Sequence, residues 1–179
     1  MTSTSPPSSP HPPSHLGWSV AALTIAALSL APSFAHMLEA WPRLYVWPPE
    51  LWRETTVFHQ QFLLYLIVGA PLDLAAIAMP ALYAVRLRND RPKERSRAGL
   101  AVTACVLYSL ALIVWALWVA PANDALAGWT PGPIPENFHT IRGRWESGHI
   151  VVAVLKLLGF MALSLSVAMR SDRPTQPLH

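Results

Sequence analysis

Two short spacings carry the most chemistry in this chain. His36-Met-Leu-Glu39 and Glu146-Ser-Gly-His149 each set an imidazole and a carboxylate three residues apart. On a helix that spacing puts both groups on one face. Helical bundles build metal sites from inward-facing Glu and His at this separation. The donor types suit iron, copper, manganese or zinc without choosing among them. His59, in the stretch FHQQF, is either an interfacial hydrogen-bonding residue, the favoured role, or a further ligand or proton carrier; with it the expected metal set is His36, Glu39, His59 and His149. The alternative has no metal: Glu39 and Glu146 reach along their stems to the membrane interface, and the histidines hydrogen-bond neighbouring helices. Asp73 and Lys156 each fall near the middle of an apolar segment. Opposite charges at that depth are expected to form a structural ion pair, with a proton relay as the rival role. Asn123 and Asn137 either fix loop geometry or donate to a substrate carbonyl.

The elements that must position these groups are apolar. Of the 179 residues, 53% are hydrophobic and only 13% charged, and the mean hydropathy is +0.33. That places the chain among membrane proteins. The single Cys105 lies inside an apolar run, so neither an intramolecular disulfide nor a cysteine zinc site is available. The net charge of +3 comes without interleaved basic and aromatic residues, which excludes a nucleic-acid partner.

Residues 1–16, rich in Pro and Ser, read as a disordered tail in which His11 and His15 are incidental. Spans are expected at about 18–41, 57–88, 98–120 and 145–169, within a single domain covering 17–170, and 171–179 read as a cytoplasmic tail. The first span could instead be a signal peptide cleaved near Ser33-Phe34-Ala35, but it lacks a basic leader. Residues 42–56, rich in Trp, Tyr and Pro, suit a loop along the membrane interface. The segment RLRNDRPKERSR at 86–97 holds six basic and two acidic residues. It marks the cytoplasmic side, as do Arg170 and Arg173. Pro121 is expected to stop the third span and to open an external loop that reaches Trp145. The fold class is therefore an all-α, integral membrane four-helix bundle, with both termini cytoplasmic and the bacterial inner membrane as its expected location. His36, Glu39, His59, Asn123, Glu146 and His149 then fall near the outer end.

At PANDALAGW, PENF and IRGRWESGH the sequence resembles the anthrone oxygenase-like family of small bacterial and fungal membrane proteins, over most of residues 35–167. The resemblance rests on Asn123 after Pro121, on Trp129, and on Arg142 and Trp145 leading to His149. It rests also on HMLEAWPR with Glu39, which is similar to the family's Leu-Glu-Leu-Pro pattern. Two departures stand out: Ala40-Trp41 replaces Leu-Pro, and Val151, Val152 and Ala153 lie where some members carry an arginine. The resemblance implies a four-helix membrane bundle that oxidises anthrones to anthraquinones, with His36, Glu39, Asn123, Arg142, Trp145 and His149 as the candidate site.

These readings lead to an expected oxidase or oxygenase acting on a small lipophilic substrate, of phenolic or anthrone-like type, that enters from the bilayer lipid. His149 is the expected base, Glu146 or Glu39 its orienting or metal-binding partner, and Arg142 or Asn123 the stabiliser of an enolate oxygen. One rival is a non-enzymatic membrane subunit or scaffold whose polar residues fasten helices and whose aromatic loops bind a partner. Another is a small transporter built on Asp73 and Lys156, which would need a homo-oligomer to make room for a pore.

Overall fold

The computed structural model describes residues 15–59, 63–90 and 94–169, and within them the chain is helical with no strand. Residues 1–14 and 171–179 of the expected tails, Arg170, Arg173 and part of the basic segment lie outside the described residues, whereas residues 15 and 16, expected in the tail, are helical and open α1. Four long helices run alternately up and down: α1 (His15–Tyr45), α3 (Leu63–Asp90), α4 (Arg95–Val114) and α6 (Phe138–Ala168). Between α1 and α3 lie the short α2 (Pro49–Arg53) and a π turn, Glu54–Phe58. A second π turn, Trp115–Val119, joins α4 to α5 (Ala120–Ala127) without a break. Four of these helical stretches, Leu16–Tyr45, Ile67–Asn89, Arg95–Ala127 and Phe138–Ala168, are long and apolar enough to cross a membrane. This is the architecture of an integral membrane protein.

The helices form a ring in which α1 neighbours α3 and α6, and α4 neighbours the same two. α1 therefore faces α4 across one diagonal, and α3 faces α6 across the other. In a bilayer no hydrophobic force draws helices together, so close packing of small residues does that work. At the end carrying the basic segment, Ala22, Ala26, Ala76, Ala101 and Ala104 are fully buried around Tyr83 and Tyr108. The Tyr108 hydroxyl crosses the first diagonal and donates to the Ala26 carbonyl at 2.9 Å. At the same end Arg97 donates to the Tyr83 hydroxyl, to Glu94 and to the Ser166 carbonyl, and Ser166 returns a bond to the Arg97 carbonyl.

Three boundaries differ from the sequence expectation. α1 continues through Pro32 and Pro42 to Tyr45, and α6 begins at Phe138, two turns before Trp145. Pro121 does not stop the third span either: it sits in the first turn of α5, directly after the π turn. A proline gives no N–H to the carbonyl four residues back, here Leu117. Arg144 on α6 supplies it, through Nη2 to Leu117 at 3.3 Å and Nε to Trp118 at 3.1 Å. The expected outer loop therefore shrinks to residues 128–137.

At Gly159 α6 lies so near α4 that a Cβ would stand 2.9 Å from the Tyr108 ring. Gly159→Ala should displace that ring and weaken its bond to Ala26, lowering stability by about 1–3 kcal/mol. Unfolding in detergent by heat or by SDS measures this, and an unchanged transition would mean that the ring yields at no cost.

Candidate functional site

A cavity of about 350 Å³ opens in the half of the bundle away from the basic segment, and all four long helices contribute to it. α1 gives Pro32, Ser33 and His36, and α3 gives Gly69, Ala70 and Asp73. α4 with its π turn and α5 adds Leu112, Trp115, Asn123, Leu126 and Ala127. From α6 come Trp145, His149 and Lys156, and Thr56 and Val57 of the first π turn complete the wall. Both π turns thus border the same space. Such turns are rare, and they appear mostly where an inserted residue re-aims side chains at a functional position.

The floor is ionic. Lys156 Nζ lies 2.6 Å from Asp73 Oδ1, joining α6 to α3 across the second diagonal. Its other donors go to the Ser33 hydroxyl at 3.0 Å and the Ser29 carbonyl at 3.3 Å, both on α1. Ser29 Oγ donates in turn to Asp73 Oδ1 at 2.6 Å. Pro32 loosens the α1 ladder at this turn, where the ammonium meets the backbone.

One side wall is a triangle of rings. His36, Trp145 and His149 stand with centroids 4.7 Å, 4.3 Å and 4.5 Å apart, taken pairwise. Trp145 Nε1 donates to Asn123 Oδ1 at 2.7 Å, and because indole only donates, this bond fixes which end of the amide is oxygen.

Behind the triangle lies a buried layer that holds the upper elements together. Glu146, with no exposed surface, accepts from Trp52 Nε1 at 2.8 Å and sits 3.3 Å from Arg43 Nε. Trp52 in turn packs edge-on against Trp145 and Phe138. Arg142 donates to the carbonyls of Arg43, Leu44 and Trp47. It caps the C-terminal end of α1, where carbonyls lack helical partners and the dipole favours a cation. Arg53 reaches the carbonyls of Gly132 and Pro133 and so ties down the 128–137 loop.

The expected residues therefore divide. His36, Asn123, His149, Asp73 and Lys156 line the cavity, whereas Glu146 and Arg142 lie behind it in the buried layer. Neither i,i+3 pair works as a pair. The buried Arg43 guanidinium attracts both carboxylates, Glu146 at 3.3 Å and Glu39 at 4.0 Å, and the two imidazoles meet each other instead. Glu39 is 56% exposed at its side chain, and His59 is an exposed bend residue. The expected set of His36, Glu39, His59 and His149 is thus not assembled: among the described residues, no group of three or more His, Cys, Asp or Glu side chains is arranged to hold a metal.

Sequence reasoning missed Ser29, Ser33 and Thr56. Ser29, Ser33 and His36 form an i, i+4, i+7 stripe, as His149 and Lys156 stand seven apart on α6, and that shared face was a usable signal. Nothing in the sequence announced the π turns.

If the ion pair ties α3 to α6, Lys156→Met alone should leave a carboxylate unpaired at mid-membrane depth and cost about 3–5 kcal/mol. The double variant Asp73→Leu/Lys156→Met should recover most of that loss. Unfolding of both in detergent gives the comparison, and equal losses would mean that the two charges act independently. No protein-family model, no curated protein and no solved structure matches this chain.

Proposed function

We propose that the protein is a membrane-embedded oxidase of a small lipophilic ring compound that reaches the cavity from the bilayer. The observation carrying this reading is the meeting of a candidate base, His149, with the Asn123 amide in one largely apolar cavity. With the basic segment on the cytoplasmic side, the cavity opens toward the outer half of the bilayer.

The chemistry suits a substrate whose C–H is acidified by a neighbouring carbonyl, as in an anthrone, which the resemblance of IRGRWESGH and PANDALAGW also favours. His149 takes the proton, and the enolate carbon, now electron-rich, reacts with dioxygen. Asn123, its carbonyl held by Trp145, offers the amide N–H groups to the enolate oxygen. Arg142 leaves that role, because its guanidinium is engaged by the end of α1. The overall change converts a CH2 to a C=O: one dioxygen supplies the carbonyl oxygen, and its second oxygen leaves as water with the two hydrogens. Leu112, Leu126 and Val57 shield the reacting carbon from water. A non-enzymatic scaffold draws on a different observation, the buried layer of Arg43, Glu146, Trp52 and Arg142 that fastens the elements together.

Detergent-purified protein supplied with anthrone should consume one dioxygen per anthraquinone formed, above the spontaneous rate. His149→Ala should lower that catalysed rate about a hundredfold or more, and Asn123→Ala by a comparable factor, with the fold retained. An oxygen electrode with product absorbance checks both. Uptake no faster than without protein would favour the scaffold.

A further inference from the structure

Among the described residues, Lys156 is the one cation that lines the cavity, and its hydrogen-bonding capacity is directed elsewhere. Lys156 has three N–H donors, and all three have acceptors: Asp73, Ser33 and the Ser29 carbonyl. Arg43 faces Glu146 and the His36 carbonyl, Arg142 the end of α1, and Arg53 the 132–133 carbonyls. Among the described residues that line the cavity, an anionic ligand would find the one ammonium already engaged. Acceptors are in a different position. Asp73 borders the cavity with its side chain 19% exposed. The bonds from Ser29 and Lys156 both fall on its Oδ1, whereas a carboxylate offers about four acceptor positions.

We infer that Asp73 anchors the ligand, held in place by Lys156 and Ser29, and that the cavity selects a neutral, hydroxyl-bearing lipophile over its ether and its carboxylate analogues. The inference rests on reading the cavity as a ligand site and goes beyond it by naming the polar group recognised. Lys156 and His149 lie seven residues apart on α6, about 10 Å along the axis. A ligand anchored by its hydroxyl at the floor can thus reach the ring triangle with its far end, the length of a two- or three-ring molecule. The ion pair then has a second role beside fastening helices: with Ser29 it holds the Asp73 carboxylate oriented as an acceptor beside the cavity.

The test is equilibrium dialysis of the detergent-purified protein at pH 7 with three probes of one ring system: 2-naphthol, 2-methoxynaphthalene and 2-naphthoate, with affinities referred to probe concentration in the micelle. The expected order is naphthol tightest, by about ten- to a hundredfold over the ether, the range of a hydrogen bond to a charged acceptor. Naphthoate should bind weakest. In Asp73→Leu/Lys156→Met the naphthol should fall to the ether's affinity, while the ether stays within about threefold. The wild-type ranking decides by itself if the double variant does not fold. Equal binding of naphthol and ether, tightest binding of naphthoate, or an unchanged preference in the double variant would each overturn the anchor. Selective naphthol binding without oxygen uptake would leave the anchor standing and sink the oxidase; absence of binding by all three would overturn the anchor and the ligand site together.

Discussion

Asp73 and Lys156 stand in segments whose other residues are nearly all apolar, and the rest of the bundle follows from their need to meet. An unpaired charge at that depth is expensive, and an ammonium needs every proton accepted. No single neighbouring helix supplies all the acceptors. Asp73 comes from α3, across the ring from α6, and the Ser29 carbonyl and Ser33 hydroxyl come from α1. The ammonium is satisfied only when three helices converge at one level, and this convergence fixes their order and relative height. α4 is tied in by Tyr108, which crosses the other diagonal to Ala26 one turn below Ser29.

The arginines share a different logic. Four of them, Arg53, Arg97, Arg142 and Arg144, donate to backbone carbonyls that regular helical bonding does not serve or that lie in a loop. In lipid such carbonyls have no water to turn to, so an irregular backbone survives only where a side chain completes it. Arg144 makes this concrete: it serves the Leu117 carbonyl that Pro121 cannot, and the π turn and the proline coexist because of it. The irregular turns then place Trp115, Thr56 and Val57 on the cavity wall. A chain of causes thus runs from a guanidinium on α6 to the shape of the pocket.

Composition and hydropathy made the four-helix class legible, because long apolar runs between polar breaks have one physical solution in a bilayer. The meeting of Asp73 with Lys156 was legible for the same reason, charge at depth. The helix ends were less so. Pro42 and Pro121 read as the ends of spans, yet each, like Pro32, is accommodated within a helical stretch, since neighbouring side chains and the π turn absorb the lost bonds. The i,i+3 pairing of His with Glu misled because spacing puts residues on one face without saying what else reaches that face. Arg43 reaches it, buried and seven residues after His36, and it takes the carboxylates away from the imidazoles. Arg142 misled similarly: a cation beside a candidate base reads as an oxyanion stabiliser until the end of α1 is seen to need it.

The cavity itself calls for an explanation, because helices in a membrane are held by close packing and a void forfeits contacts on every wall. Filling it would be simple. Gly69, Ala70 and Ala127 all border it, and larger apolar residues at these positions would close the space as alanines and tyrosines close the other end of the bundle. Gly148 instead lets α6 approach the π turn so closely that a Cβ would stand 2.7 Å from Val119. The bundle is drawn tight beside the cavity while the cavity stays open. The space that stays open is lined by an imidazole, an amide and an oriented carboxylate, polar groups that tight packing of the bundle does not require at this level.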